Sequence, residues 1–400
     1  MRVVHFRALI FLLSGAVAMA RDPLTWEQVK TQFQATNPTL NAGRAGIEVT
    51  KAQEITAYLR PNPDMTATLD QIDPFTTNPY RPLGAVLPFI SASYLHERNH
   101  KRELRLESAK KGTALAATQL EDQERTLLFN LRNAFVQTLQ QKSVVKLTTE
   151  NLAHYDNVLE VSRARFKAGD IARVDFDRLE LQRMQYETDL QTALVNLRTA
   201  KIQLLALMND RTPIDQFDIT GPFEYSEKIM PLEDLHQVAL AHRPDLKAAM
   251  QAVDKAKTDH KLAIANGSVD PIFGMDLARN PPISAYFGVS VTIPIKIFDR
   301  NQGEKARTQL DIQRNERLRE ATQVQVFSDA DSAYATINSN LVLLRSFKTK
   351  YLEQATRIRD TISFSYQHGG ASLLDFLNAQ NDYRSVQLNY LNMVDRKSVV

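Results

Sequence analysis

The sequence has no cysteine in its 400 residues, and glycine is sparse at 13. Without cysteine there is no disulfide, no thiolate chemistry and no thiol on which to hang a lipid anchor. No glycine-rich phosphate loop or nucleophile elbow occurs, so the common nucleotide-binding and hydrolase signatures are missing. Beyond the extreme N-terminus nothing approaches the ~18 consecutive apolar residues of a transmembrane helix. Excess charge is lacking too. Setting Arg2 and Arg7 aside from the 49 basic side chains leaves 47 against 46 acidic ones. A near-neutral surface of mixed sign gives no electrostatic footing for nucleic acid.

What remains is 43% apolar content, ample for a core, in long segments rich in Ala, Leu, Gln, Arg and Glu. That is the composition of long helices. The N-terminus carries Arg2 and Arg7, an apolar run Ala8–Val17, then Ala18-Met19-Ala20. This basic, apolar, small-x-small order predicts a secretory signal peptide over residues 1–20.

Two stretches organise the rest: Phe166-Lys-Ala-Gly-Asp-Ile-Ala-Arg-Val-Asp-Phe176 and Tyr366-Gln-His-Gly-Gly-Ala-Ser-Leu-Leu-Asp-Phe376. In each, an aromatic precedes a glycine, and an aspartate followed by Phe comes shortly after. Each lies between two long helical patterns, so each predicts the tip of a helical hairpin ended by a left-handed glycine. Their separation of 200 residues predicts an internal duplication.

The first repeat is expected over 21–211. Asp22–Leu59 has helical periodicity broken at Asn37-Pro38, and Asp64–Asp70 alternates apolar and polar residues with the period of a strand. A proline-rich loop, Asp73–Gly84, leads to a second extended run ending at Leu95, completing a β-hairpin over 64–95. Lys101–Arg165 and Val174–Leu207 form the arms of the helical hairpin whose tip is 166–176. Residues 212–230, with two prolines and a third just beyond at Pro231, read as a connector. The second repeat, 231–400, restarts with Arg243-Pro244 in the place of Asn37-Pro38. Its β-hairpin is expected over 270–294, with Ser284–Pro294 the clearest strand. A helix from Gln302 to about Ser365, the tip 366–376 and a helix from Leu373 to about Asp395 follow. That last helix falls short of its partner in the first repeat, so a C-terminal truncation is an expectation.

The fold class is therefore mainly α with a small β part. A helix of about 63 residues is roughly 95 Å long, the dimension of a coiled-coil rod or tunnel wall. An open four-stranded sheet with one apolar face cannot sit in lipid, because its edges leave backbone groups unpaired. Closed membrane barrels need at least about eight strands. The simplest closure shares the barrel between subunits: three copies supply twelve strands.

This layout resembles the TolC family of outer-membrane efflux proteins. The resemblance is carried by Asn37-Pro38 and Arg243-Pro244, the two glycine tips, and Pro294-Ile-Lys-Ile-Phe-Asp-Arg-Asn-Gln-Gly303. Phe298–Gly303 is most similar to the heavy-metal cation efflux branch. The resemblance implies a homotrimer of a Gram-negative outer membrane, with a 12-stranded β-barrel in outer-membrane lipid and an α-helical coiled-coil tunnel in the periplasm. It implies a passive duct for small molecules or metal cations, partnered by a periplasmic adaptor and an inner-membrane pump of the RND type, without a cofactor. By position, Asp375 matches an acidic pore ring, and Asn378 stands where a second acidic residue is expected. Lys167, Gly169, Asp170, Gly369, Gly370 and Ser372 fall where an adaptor would contact the tips. For Asp375 the plainer reading is a carboxylate in a helix's first turn; for the glycines it is helix termination.

Two other readings compete. A periplasmic helical-hairpin adaptor shares the long hairpins but has no need of amphipathic strand pairs. His96-Glu97-Arg98-Asn99-His100 also spells the H-E-x-x-H of zinc proteases, for which Glu121 or Glu124 is the candidate third ligand. That chemistry needs both histidines on one helical face. The motif instead follows an extended run, and its repeat partner Phe298–Gln302 keeps Arg-Asn without either histidine. A structural corner without metal or catalysis is the expectation.

Overall fold

The computed structural model describes residues 22–72, 74–75, 79, 83, 86–223, 229–280 and 282–398. The predicted signal segment lies outside them, as do parts of the 73–84 loop and of the 212–230 connector. Helix α1 (Trp26–Thr36) starts at a capping box, in which the Gln28 side chain accepts from the Thr25 backbone N–H at 2.8 Å. Proline then opens α2 (Pro38–Tyr58), as it opens α6 (Pro244–Asn266) after α5 (Leu232–His242). Each proline lacks the N–H and disfavours helix in the residue before it, so the chain breaks and restarts at once. Strands β1 (Asp64–Asp70) and β2 (Leu87–Leu95) precede α3 (Lys101–Ala168) and α4 (Arg173–Leu207). Strands β3 (Ile272–Asn280) and β4 (Ile283–Thr292) precede α7 (Gln302–Ser346), α8 (Leu352–Gln367) and α9 (Leu373–Ser398).

The helix expected over 302–365 is interrupted. Phe347–Tyr351 forms a π-turn between α7 and α8, with the Phe347 and Tyr351 rings edge to face at 5.5 Å. Such a turn inserts a residue without ending the rod, and composition carries no signal for it.

By contacts the chain divides into two compact units, 39–126 with 230–334, and 1–38 with 127–229 and 335–400. The first holds a single sheet in the order β1-β2-β3-β4, every pair antiparallel. Its register sorts the side chains cleanly. Met65 lies opposite Ala92, Ala92 opposite Met275, and Met275 opposite Val289. Ala67, Ile90, Leu277 and Phe287 form a parallel row, as do Tyr94, Phe273 and Val291. This face is apolar yet open: Met65 and Val289 are both 78% exposed. The opposite face carries Asp64 against Ser93, Ser91 against Asp276, and Gly274 against Ser290. All four connections to helices leave one end of the sheet, and the paired strand ends Asp70 with Leu87 and Asn280 with Ile283 lie at the other. The outer edges of β1 and β4 pair with no strand among the described residues.

In the second unit α1 buries Val29 and Phe33, and Trp26 meets Phe135 edge-on at 5.5 Å. Part of the expected connector is built into this unit rather than merely joining segments. Ile219 bridges Leu24 in parallel, and Phe217 and Ile219 are buried. Lys142 and Lys201 reach Asp218 at 2.7 and 3.1 Å. Burial by itself would push the Asp218 carboxyl up; the two ammonium groups outweigh it and hold the carboxyl below its usual range.

Candidate functional site at the hairpin tips

Both tips use the same backbone device. At the first, the Gly169 N–H donates to Phe166 O at 3.0 Å and the Asp170 N–H to Arg165 O at 2.9 Å. At the second, Gly369 donates to Tyr366 O at 3.1 Å and Gly370 to Ser365 O at 2.7 Å. This is the Schellman arrangement, and it requires a left-handed residue: Gly169 has φ 85° and Gly369 φ 79°. Any side chain there would be strained.

An aromatic cluster holds the tips together. Phe166 stacks on Phe176 at 5.2 Å and Tyr366 on Phe376 at 4.9 Å. Tyr155 stacks on Tyr186 at 4.6 Å and lies 6.1 Å from Phe376, joining the two hairpins in one buried core. The Tyr155 hydroxyl donates to Leu179 O at 3.0 Å. Burial pushes both tyrosines up, Tyr186 to about 12.

Around this core the predicted site residues are brought to one region. Lys167, Gly169 and Asp170 are exposed at one tip, and Gly369, Gly370 and Ser372 at the other. Asp375 and Asn378 are exposed one turn apart on α9. Ser372 caps α9: its hydroxyl donates to Asp375 Oδ2 at 2.7 Å and accepts from the Asp375 N–H at 3.1 Å. The cap orients the carboxylate and sets it against the positive end of the helix. Asp175, its counterpart, has Ala172 at the cap position and no such side-chain bond. The two tips therefore differ chemically despite identical backbones. Sequence reasoning missed Arg165, whose guanidinium spans the tips, and the paired tyrosines of the core. The aromatic recurring before each glycine was the one available signal.

The H-E-x-x-H stretch takes no zincin geometry. His96 follows β2 directly, and Asn99 and His100 have φ of 57° and 55°, so no helix places the two histidines on one face. Glu97 is engaged in a two-pronged ion pair with Arg105, one arm at 2.9 Å. Glu121 and Glu124 lie on α3 roughly 30 Å further along at 1.5 Å per residue. Among the described residues no group of three or more His, Cys, Asp or Glu is placed to hold a metal ion.

Residues 273–396 match the family model for outer membrane efflux proteins. The cobalt-zinc-cadmium resistance protein CzcC of Cupriavidus metallidurans is 22% identical over 94% of this chain and 87% of its own length. The outer membrane efflux protein BepC of Brucella suis is 22% identical over 97% and 88%. The crystal structure of the outer membrane protein VceC from Vibrio cholerae superposes with TM-score 0.77 at 15% identity, covering 93% of each chain. In sequence the chain is thus similar to outer membrane efflux proteins, and in fold it is similar to a solved outer membrane protein.

Proposed function

We propose that this chain is the outer-membrane channel of a tripartite efflux system, a passive trimeric duct with no catalytic step of its own. The observation that carries this reading is the sheet: a continuous, exposed apolar face, a polar reverse face and two unpaired edges. In lipid such a sheet is stable only when closed with other copies. Three copies give a twelve-stranded barrel with the apolar rows outward and Asp64, Ser91, Asp276 and Ser290 lining the lumen. A soluble periplasmic adaptor would have no use for such a face. The repeats 21–211 and 231–400 then each contribute one β-hairpin to the barrel and one helical hairpin to the tunnel.

At the tips, three copies of Asp375 around the axis form a cation-favouring constriction, with Asn378 one turn further along. Lys167, Gly169, Asp170, Gly369, Gly370 and Ser372 form the docking surface for a periplasmic adaptor, which couples the duct to an inner-membrane pump of the RND type. Small residues at both tips let another backbone approach closely. The cargo is a small molecule or metal cation, and the likeness to a cobalt-zinc-cadmium resistance protein favours the cation. The test is native mass of the detergent-extracted outer-membrane fraction. A mass of three copies supports the duct; a soluble monomer overturns it.

A further inference from the structure

We propose that the corner between β2 and α3 binds the phosphate headgroup of an anionic glycerophospholipid at the inner face of the outer membrane. The site presupposes the membrane-spanning sheet proposed above and adds a ligand to it.

The corner is an open cup of about 450 Å³, lined among others by Arg60, Tyr94, His96, Arg98, His100 and Arg102. Its two carboxylates are already engaged. Glu97 pairs with Arg105, whose guanidinium also donates to the Ala57 and Leu59 carbonyls at 3.2 Å each. Glu103 pairs with Arg102 at 3.0 Å. Arg60 and Arg98 are exposed, and neither guanidinium has an ion-pair partner among the described residues. It is the backbone of Arg98 that is engaged, its N–H donating to Asp270 Oδ1 at 2.9 Å and its carbonyl accepting from the Lys101 N–H at 3.4 Å. Two free guanidiniums in one cup are suited to a phosphate, whose oxygens match their forked donors.

Position identifies a lipid rather than a free anion. Ile90, Ala92 and Tyr94 lie on the apolar face of the sheet, and the two-residue period carries that face on to His96. The His96 ring meets Phe273 of the same face edge-on at 6.2 Å. The cup therefore opens directly onto the surface that faces acyl chains, with Tyr94, an amphipathic ring of the kind enriched at membrane boundaries, between them. The left-handed backbone at Asn99 and His100 turns the chain sharply and holds the cup's rim. The matching corner of the second repeat has diverged. There Ile295 and Phe298 are more than four-fifths exposed, at 83% and 88%. The ammonium of Lys296 is committed to the Asn266 and Ser268 carbonyls at 2.8 and 2.9 Å.

The experiment is native mass spectrometry of the full chain extracted from the outer-membrane fraction, titrated with short-chain phosphatidylglycerol, short-chain phosphatidylcholine or inorganic phosphate. Variants are Arg60→Gln/Arg98→Gln, Arg60→Lys/Arg98→Lys, and a control, Lys146→Gln/Arg173→Gln, that removes equal charge elsewhere. We expect wild type and control to bind phosphatidylglycerol in preference to phosphatidylcholine. The Gln variant should bind it about 25-fold more weakly, at about fivefold per basic side chain near the membrane surface, and the Lys variant should recover part of the loss. Undiminished binding by an assembled Gln variant overturns the site while leaving the channel reading intact. Displacement of phosphatidylglycerol by equimolar phosphate, or equal binding of phosphatidylcholine, also overturns it. If the Gln variant does not assemble, the wild type's order among the three probes decides: phosphatidylglycerol first supports the site, and any other order overturns it. A wild type absent from the outer membrane overturns the channel reading and this site together.

Discussion

The guanidinium of Arg165, at the end of α3, donates to the carbonyl of Tyr366, at the end of α8, at 2.6 Å. One hairpin tip is thereby bonded to the backbone of the other, and the same side chain lies 3.5 Å from where a Cβ on Gly369 would sit.

Replacing Arg165 with Ala leaves that carbonyl with the Gly369 N–H but without its charged donor, and we expect a loss of about 1–2 kcal/mol, the low end for a hydrogen bond to a charged donor at a half-exposed site. Hydrogen exchange should report it locally, as faster exchange of the Gly370 amide, while Arg165→Lys restores part of the protection. Unchanged exchange at Gly370 would show that the aromatic core alone holds the tips.

Ser372 and Asp375 are bonded to each other, yet their substitutions should separate. Ser372→Ala removes a helix cap and should cost about 1 kcal/mol, with single-channel conductance changed far less than by loss of the Asp375 carboxylate itself. Asp375→Ala should raise conductance and reduce the preference for cations. If both variants alter only stability, Asp375 is a capping residue and the constriction lies elsewhere.

Val289 and Ser290 are neighbours on β4 that face opposite sides of the sheet. Lysine at position 289 should disfavour insertion by about 2–4 kcal/mol at mid-membrane depth, whereas lysine at 290 should be tolerated in a polar lumen. Folding equilibria in lipid vesicles measure the difference. Equal penalties would contradict the assignment of the two faces.

The tip unit should lose stability at both ends of the pH scale. Asp218 has a depressed folded pKa, so its contribution is present above the ordinary carboxylate range of about 4 and lost as pH falls through the lower folded value. Tyr186 has a raised one, so its contribution is present below about 10 and lost as pH rises towards about 12. Thermal melts across pH should flatten on the alkaline side in Tyr186→Phe and on the acid side in Lys142→Met. An alkaline limb that persists in both Tyr186→Phe and Tyr155→Phe would assign it to other groups.

Much of the fold was legible because its determinants are local. Asn37-Pro38 and Arg243-Pro244 broke their helices where the missing N–H of proline requires it. Gly169 and Gly369 took the left-handed backbone expected of them. The alternation of Asp64–Asp70 placed Met65 and Leu69 on one face, and the register kept them there. The π-turn at Phe347–Tyr351 was not legible, since a single inserted residue leaves helical periodicity intact on both sides. Nor was the packing of Phe217–Ile219, where a short stretch without periodicity gains its order from Leu24, Lys142 and Lys201, all distant in sequence.

For the candidate site the division is similar. The tips were found by their repetition, but their asymmetry was not: Ser372 against Ala172 becomes a chemical difference only when the cap geometry aims one carboxylate and leaves the other without a capping hydroxyl. The H-E-x-x-H spelling was read as a corner from its histidine-free repeat partner, and the left-handed backbone at Asn99 and His100 with Arg105 on Glu97 shows how that corner is built. The sequence by itself determined the elements, their duplication and the two-faced strands, because period and punctuation act over a few residues. Only the tertiary structure decided which side chains meet. Arg165 reaching Tyr366, Tyr155 joining both hairpins and the free arginines beside an apolar sheet all depend on contacts between distant parts of the chain.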